Sequence, residues 1–347
     1  MKKILALFLA CVLLLTGCGG ASTGDAAQVT PEVTAEPTPT PAPVYYNPLN
    51  GTELEQPYTG RIVAVSVSNI RSAIPHVGLN QADMVFETFV NGSIIRCLAL
   101  YTDISGVEAV GGVRSNRLMW NDIATHYDSL IIHSGGSNYV INATANAGLD
   151  NINIDQWFPI QAGCSYRDRD HGRVWENSLF GIGSGILGYA AEKKMKLTQP
   201  ADKEYYLEFV DDGTPDGEAA TEININFRCE GSNKKTTMKY DPALDKYVFW
   251  QYQQEMRDVL TDEPEAFTNV IVMDTKVAKE GIYHVADFVK GGTGWYANGG
   301  QLIPIQWSCD GEDQPFRYST LDGEPLQMGR GNTYVAIAPI GSDVNWN

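Results

Sequence analysis

Apolar and polar residues alternate along the first half of the chain in a pattern that predicts strands interleaved with helices. Strands are predicted at residues 61–68, 83–90, 93–102 and 129–133. The second and third of these are joined by Asn91-Gly92, a dipeptide typical of tight hairpins. Helical spacing predicts helices at residues 115–126, from about 137 to 147, and at 177–194.

The second half of the chain has a different pattern. Short alternating strands are predicted at residues 222–227, 236–240, 246–251, 269–274, 301–307 and 333–338. The sequence therefore predicts an α+β fold, in which an α/β N-terminal domain with a mixed sheet packs against a mainly β C-terminal domain. We place these domains at residues 46–200 and 201–347, because Gln199-Pro200 interrupts the pattern.

The first residues have the pattern of a secretory signal peptide. Lys2 and Lys3 precede an apolar run at residues 4–15. That run is too short for a bilayer-spanning helix, which needs about 20 residues. Residues 15–18, Leu-Thr-Gly-Cys, resemble the lipobox of bacterial lipoproteins, whose cysteine receives diacylglycerol and acyl chains such as palmitate. We therefore predict a signal peptide at residues 1–17 and lipidation of Cys18; the alternative is a secreted protein with a chance cysteine there.

Residues 18–45 are rich in Thr, Pro and Ala and are predicted to be a tether. In an extended conformation, at ~3.1 Å per residue, the 26 residues from Gly19 to Val44 reach about 80 Å. The predicted location is extracytoplasmic, on the cell membrane through the lipid anchor.

The net charge of −17 becomes −19 when Lys2 and Lys3 leave with the signal peptide. So acidic a protein is repelled by nucleic acid and by anionic headgroups. We expect no nucleic-acid partner, and contact with the membrane through the lipid and little else. Cys97 lies in an apolar run and is predicted to be buried, whereas a Cys229–Cys309 disulfide is possible but not fixed by spacing.

The cations of the first half are all arginines. No lysine occurs between Lys3 and Lys193, and the arginines there are Arg61, Arg71, Arg96, Arg114, Arg117, Arg167, Arg169 and Arg173. A guanidinium group binds carboxylate or phosphate with two parallel bonds. An anion site is one explanation, and internal ion pairs, above all for Arg61, are the other.

Two glycine-containing segments are predicted to enter helices, where free N–H groups favour anions. The first carries Arg114, Ser115 and Arg117, with Ser115 as the alternative helix cap. The second leaves a strand at His133 and continues through Gly135, Gly136 and Ser137. A tight turn with a structural His133 is the alternative interpretation there.

A third segment, residues 167–173, carries Arg167, Asp168, Asp170 and His171. Mixed charges of this density are typical of a solvated loop, and a metal site here matches no ligand spacing that we can name. We predict no metal and no cofactor. Standard hydrolase and nucleotide-binding motifs do not occur in the sequence. Glu87 is expected to pair with Arg96 across the hairpin.

A set of short segments and single residues, spread over most of the chain, carries a family resemblance: 64–69, 78–83, Glu87, Arg96, 113–117, His133, 135–137, 167–168, Asn177, 269–273, 292–295, Trp307, 315–318 and 331–338. On these residues the chain resembles the YerB-type lipoproteins, an uncharacterised bacterial family with an N-terminal and a C-terminal domain. The family tends to have Pro-His before the asparagine where this chain has Trp175-Glu176, and proline where this chain has Gly112. The first departure removes a histidine from the site. The resemblance implies a two-domain envelope lipoprotein and no established reaction.

The sequence thus favours a binding or accessory module of the cell envelope. Its ligand site would be an arginine-rich cleft for a wall-related anion, formed by Arg114, Ser115, Arg117, His133, Gly135, Gly136, Ser137, Arg167, Asp168 and Asn177. The alternative is a hydrolase or transferase acting on envelope polymers, with His133 or His171 as the base and arginines stabilising an anion.

Overall fold

Most of the regular structure in the computed structural model, which describes residues 43–170, 173–200, 202–311 and 313–347, is β-strand. The predicted signal peptide, Cys18, most of the predicted tether and His171 lie outside the described residues. Residues 44–347 form one compact unit.

The described part of the first half contains ten strands and four α-helices. In chain order they are β1 Tyr45–Tyr46, β2 Glu53–Leu54, β3 Val63–Ser68, β4 Met84–Asn91, β5 Ile94–Tyr101, β6 Val110–Gly111, α1 Leu118–Tyr127, β7 Leu130–His133, α2 Asn138–Asn146, β8 Asn151–Asn153, α3 Trp157–Gln161, β9 Ser165–Arg167, β10 Leu179–Gly181 and α4 Gly183–Glu192. Short 3₁₀ turns occupy Arg71–Ala73, Leu79–Gln81 and Trp175–Asn177.

The described part of the second half contains strands only. They are β11 Glu208–Val210, β12 Glu218–Ala219, β13 Glu222–Cys229, β14 Ser232–Asp241, β15 Lys246–Gln251, β16 Gln254–Glu255, β17 Ala266–Phe267, β18 Asn269–Thr275, β19 Val277–Glu280, β20 Tyr283–Ala286, β21 Gly292–Asn298, β22 Gln301–Ser308, β23 Arg317–Thr320, β24 Gln327–Gly329, β25 Thr333–Pro339 and β26 Asp343–Trp346.

One large mixed sheet draws strands from both halves. Its order is β12-β22-β21-β18-β25-β4-β5-β3-β7-β8, and β3, β7 and β8 are parallel neighbours. β25 of the second half pairs in parallel with β4 of the first. The mixed sheet confirms the predicted α+β fold, and it runs without a break across the boundary that we predict near residue 200.

The two faces of the large sheet are covered by different elements. A second sheet, β16-β15-β14-β13-β26, contributes Ile223, Phe227 and Phe249 to the core on one face, together with Val65 and Ile132. On the other face, Met119 and Trp120 of α1 pack with Leu98 and Leu100 of β5. The large sheet is therefore buried on both faces, as a sheet with parallel strands requires.

The predicted helix at 177–194 is wrong in its first part. Leu179–Gly181 is strand β10, which pairs with β6 and β9, and α4 starts only at Gly183. A Cβ atom on Gly183 would lie 1.8 Å from the Ile104 carbonyl oxygen, so glycine lets α4 approach the preceding loop closely. The helix predicted at 115–126 begins at Leu118, and its N-cap is Arg117 and not Ser115.

The structure also settles a disulfide that the sequence leaves open, and it shows that one predicted pairing is wrong. Cys229 and Cys309 are free thiols and form no disulfide, and buried Cys97 is a free thiol as well. Glu87 pairs with Lys234 of β14, 147 residues away, and not with Arg96.

The physical reason for the wrong pairing of Glu87 with Arg96 is a bulge in the β4–β5 hairpin. Asn91 pairs with Ile94, but the register shifts by one residue and Glu87 then lies opposite Cys97. A shift of one residue moves a side chain to the other face of the sheet. Glu87 and Arg96 therefore point to opposite faces.

Candidate functional site

The carboxyl ends of β3, β7 and β8 meet at one edge of the large sheet, where ligands commonly bind in sheets of this kind. His133 is the last residue of β7, and the loop after it leads into α2. Ser137 caps α2, because its hydroxyl accepts a hydrogen bond from the Val140 N–H at 3.3 Å.

The loop at residues 112–117 lies beside the loop that follows His133. The backbone N–H of Ser134 donates to the Arg114 carbonyl oxygen at 3.0 Å, and that of Asn116 donates to the Gly135 carbonyl oxygen at 3.0 Å. The Arg114 N–H donates in turn to the Ser66 carbonyl oxygen at 2.8 Å, at the end of β3. The two segments predicted to contribute to one site are thus adjacent in the fold.

Three arginines gather at this edge, and we call Arg96, Arg114 and Arg117 the arginine cluster. Arg96 reaches from β5 and donates to the Ser115 carbonyl oxygen, to which Arg117 Nη1 also donates at 3.3 Å. Arg114 Nη1 donates to the Glu176 carbonyl oxygen at 2.5 Å. These acceptors are neutral carbonyls and not carboxylates.

No carboxylate of the described residues lies within 4.0 Å of a guanidinium nitrogen of the arginine cluster. Arg96 is only 1% exposed, and its Nε has no hydrogen-bond partner among the described atoms. Buried charged groups in proteins are normally paired, so this arrangement is exceptional.

The cations of the cluster perturb one another. Burial, and then repulsion by Arg117 and Arg114, lowers the pKa of Arg96 well below its usual value. Burial lowers the pKa of Arg117 to about 10, with Tyr283 opposing and Arg114 adding to the shift. Burial also lowers the pKa of Arg114, against a longer-range attraction to Glu176. An anion placed among them would relieve both the desolvation and the repulsion.

Arg167 and Asp168, by contrast, are engaged in internal pairs. Arg167 Nη2 binds both carboxylate oxygens of Asp155, at 2.6 and 2.7 Å, and its guanidinium lies 4.0 Å from the centre of the Trp175 ring. The Asp168 carboxylate is 3.8 Å from Arg173 Nη1. The Arg167 guanidinium is therefore already engaged and is not free to bind a ligand. Neither Arg167 nor Asp168 belongs to the site proposed below.

Arg61 has the structural role that the alternative explanation assigns to it. Its guanidinium nitrogens lie 3.2 Å from Asp128 and 2.5 Å from Asp150, and its side chain is 4% exposed.

His133 is buried, and both of its ring nitrogens have partners. Nδ1 is 2.8 Å from the Gly135 carbonyl oxygen and Nε2 is 3.0 Å from the Asn151 side chain. Burial lowers the pKa of His133. A cavity of about 250 Å³ is lined by His133, Gly135, Gly136 and Asn153, among others. The geometry fits a histidine that shapes the loop better than one poised as a base.

Asn177 packs against the loop at residues 112–117, which carries Arg114. Its amide donates to the Ser72 carbonyl oxygen at 3.1 Å, and its side chain is buried. A Cβ atom on Gly112 would lie 2.4 Å from the Asn177 carbonyl oxygen. Asn177 is therefore packed against the segment that carries Arg114.

Other features of the described part do not fit an anion site. A cavity of about 790 Å³ between α1, α2 and residues 285–289 is lined by Asp122, Glu280 and Asp287, which would repel an anion. No group of three or more His, Cys, Asp or Glu side chains within residues 43–170, 173–200, 202–311 and 313–347 is placed to hold a metal ion.

Arg96 is the site residue that sequence reasoning missed, because the hairpin bulge puts it on the α1 side of the sheet. The available signal was that Arg96 shares its strand parity with Leu98 and Leu100, which face a helix.

The fold is a large mixed sheet with arginine side chains close to the ends of its parallel strands. The N-terminal domain of DUF3048, a family of proteins of unknown function, matches residues 49–196, and the C-terminal domain of that family matches residues 223–335. The chain belongs to this family.

A relative of known sequence is "Putative lipoprotein YerB" of Bacillus subtilis (strain 168). It is 27% identical over 304 residues, which are 84% of this chain and 86% of that protein. The crystal structure of the YerB protein from Bacillus subtilis superposes with a TM-score of 0.72 at 23% identity, covering 86% of this chain and 99% of the other. This likeness confirms the fold and the resemblance to YerB.

Within the described residues, no helix has both the length and the apolar character that crossing a membrane requires.

Proposed function

We propose that this chain is an extracytoplasmic lipoprotein whose folded part binds the carboxylate or phosphate of an envelope ligand at the arginine cluster. The observation that carries the proposal is that Arg96 and Arg117 share the Ser115 carbonyl and Arg114 binds the Glu176 carbonyl, with no described carboxylate within 4.0 Å of the three guanidinium groups. Gly135, Gly136 and His133 shape the adjacent loop.

The physical argument is that neutral carbonyls compensate the buried positive charge of the cluster only in part. A buried cation loses its hydration and must recover that energy from a partner, and a neutral carbonyl recovers less than an anion does. The Nε of Arg96 has no hydrogen-bond partner, and Arg114 is half-buried. The cluster therefore has an unpaired buried donor and also a side chain at the surface. A bidentate anion would satisfy these donors with charge-assisted bonds.

The membrane location is supported by two independent features. The lipobox-like residues 15–18 precede a Thr/Pro/Ala-rich segment, and a relative across most of the chain bears the name "Putative lipoprotein YerB". We propose that lipid on Cys18 anchors the protein to the outer face of the cell membrane.

The test is isothermal titration of the folded protein with inorganic phosphate, acetate and soluble peptidoglycan fragments. We expect saturable binding to at least one anion and a loss of tenfold or more, about 1.4 kcal/mol, for Arg114→Ala. Arg169→Ala is the matched control, since it removes an exposed arginine outside the cluster. Absence of binding to the unmodified protein, or equal losses in the two variants, would refute the proposal.

The hydrolase or transferase alternative receives no support from His133, because its burial and its two partners leave no free nitrogen to accept a proton. We therefore propose a binding role.

A further inference from the structure

Exposed apolar side chains are concentrated in one short stretch of this protein. Of the fifteen large apolar residues that are exposed in the described part, six lie between residues 157 and 175. They are Trp157, Phe158, Ile160, Tyr166, Val174 and Trp175, and we call them the aromatic patch. Phe158 is 71% exposed and Trp157 is 69% exposed. Such concentration marks an interaction surface, whereas scattered apolar residues need no explanation.

The local structure forces these side chains outward. In the five-residue helix α3, Pro159 is the residue that is buried, so Trp157, Phe158 and Ile160 remain on the solvent side. The backbone there is held by the Cys164 N–H, which donates to the Pro159 carbonyl oxygen at 3.0 Å.

Arg167 joins the two parts of the aromatic patch. Its guanidinium binds the Asp155 carboxylate, two residues before Trp157, and lies over the Trp175 ring at 4.0 Å. Tyr166 is fixed by its ring contact with Phe180, at 5.6 Å between centroids. The patch therefore sits on a rigid base, and little conformational entropy would be lost when it is covered.

We infer that the aromatic patch docks into the interface of the lipid bilayer to which the protein is anchored. Tryptophan and tyrosine rings favour the headgroup region, and phenylalanine and isoleucine favour the acyl boundary below it. The inference rests on the lipid anchor on Cys18 proposed above. The 25 residues between Cys18 and Val44 can extend roughly 80 Å, so the tether lets the folded body reach the membrane.

The tether also makes a weak contact sufficient. Anchoring turns insertion of the patch into an intramolecular step, at an effective concentration in the millimolar range. The net charge of −17, which becomes −19 without Lys2 and Lys3, predicts that the protein contacts the membrane through its lipid and little else. That repulsion is screened within about 8 Å at physiological salt, whereas insertion of apolar rings is a contact interaction. We therefore expect the protein to contact the membrane through the aromatic patch as well as through its lipid.

The test measures tryptophan fluorescence of the full lipidated chain in phosphatidylcholine–phosphatidylglycerol vesicles whose acyl chains carry bromine. The patch holds two of the seven tryptophans, so we expect quenching of about a quarter of the emission. Phe158→Ser with Ile160→Ser leaves both reporter tryptophans in place and should abolish most of this quenching. The matched control is Leu321→Ser with Ile340→Ser, which removes two exposed apolar residues elsewhere.

A second arm uses the Cys18→Ser chain with the same vesicles. Quenching in that arm should appear only at high lipid concentration and should depend on Phe158 and Ile160 in the same way. If Cys18 carries no lipid, the two arms behave alike and the anchor proposal fails. The measurement at high lipid concentration still shows whether the aromatic patch docks on the bilayer. If neither arm shows quenching that the Phe158/Ile160 pair removes, the patch does not dock on a bilayer, and a protein partner becomes the alternative.

Discussion

Replacement of Lys234 by methionine tests how much the buried ion pair between Lys234 and Glu87 contributes to stability. This pair connects the two halves of the chain. Lys234 of β14 binds the Glu87 carboxylate of β4, and the side chains are 5% and 0% exposed, respectively. Glu87 also accepts hydrogen bonds from Asn69 at 2.6 Å, Thr236 at 2.9 Å and Tyr334 at 2.5 Å. Lys234→Met keeps the length of the apolar stem and removes only the charge that compensates this carboxylate.

Removal of one partner from a buried pair costs about 3–5 kcal/mol, because the other charge is left uncompensated. Three hydrogen-bond donors to Glu87 remain in this variant. We therefore expect the free energy of unfolding to fall by about 3 kcal/mol, the lower end of this range. Lys239→Met is the matched control on the same strand. Lys239 is 3.2 Å from Glu222 with side chains 42% and 33% exposed, and a surface pair of this kind contributes about 0–1 kcal/mol.

The measurement is urea unfolding followed by tryptophan fluorescence, with linear extrapolation to water. Glu87→Gln and the double variant complete a thermodynamic cycle, from which we expect a coupling free energy of about 2 kcal/mol. The reasoning is refuted if Lys234→Met and Lys239→Met lose the same stability, or if the two substitutions at the buried pair are additive.

Three further predictions concern α4, the thiols and the response to acid. Gly183→Ala should destabilise the protein by more than about 2 kcal/mol, since its Cβ would overlap the Ile104 carbonyl, whereas Gly188→Ala, with nothing within 4 Å, should stabilise it by about 0.5–1 kcal/mol in thermal unfolding. In a titration with a thiol reagent, Cys229 should react first among the described cysteines, because the others are buried; simultaneous reaction would contradict this. Burial lowers the pKa of His126 from 6.5 to about 4, so the unfolded chain takes up that proton first and stability falls as the pH drops from about 6.5 to 4, by about 2–3 kcal/mol. His126→Gln should flatten this acid limb in unfolding midpoints measured against pH, and an unchanged limb would exclude His126 as its source.

The sequence alone determined the elements whose signals are local. Alternation and β-branched residues predict the strand observed at Val63–Ser68, and Asn91-Gly92 predicts the hairpin between β4 and β5. Arginine-only composition and two glycine-containing segments also grouped the segments of Arg114 and His133 together, and these two segments are adjacent in the structure. These signals depend on neighbouring residues, which the sequence displays directly.

Only the tertiary structure decided which charges compensate one another. Arg167 and Arg114 look equivalent in the sequence, yet Arg167 is neutralised by Asp155 while Arg114 is not. A one-residue bulge separates Arg96 from Glu87, and the partner of Glu87 comes from a strand 147 residues away. Electrostatic pairing depends on distance in space and on register, and one residue of register moves a charge from one face of the sheet to the other.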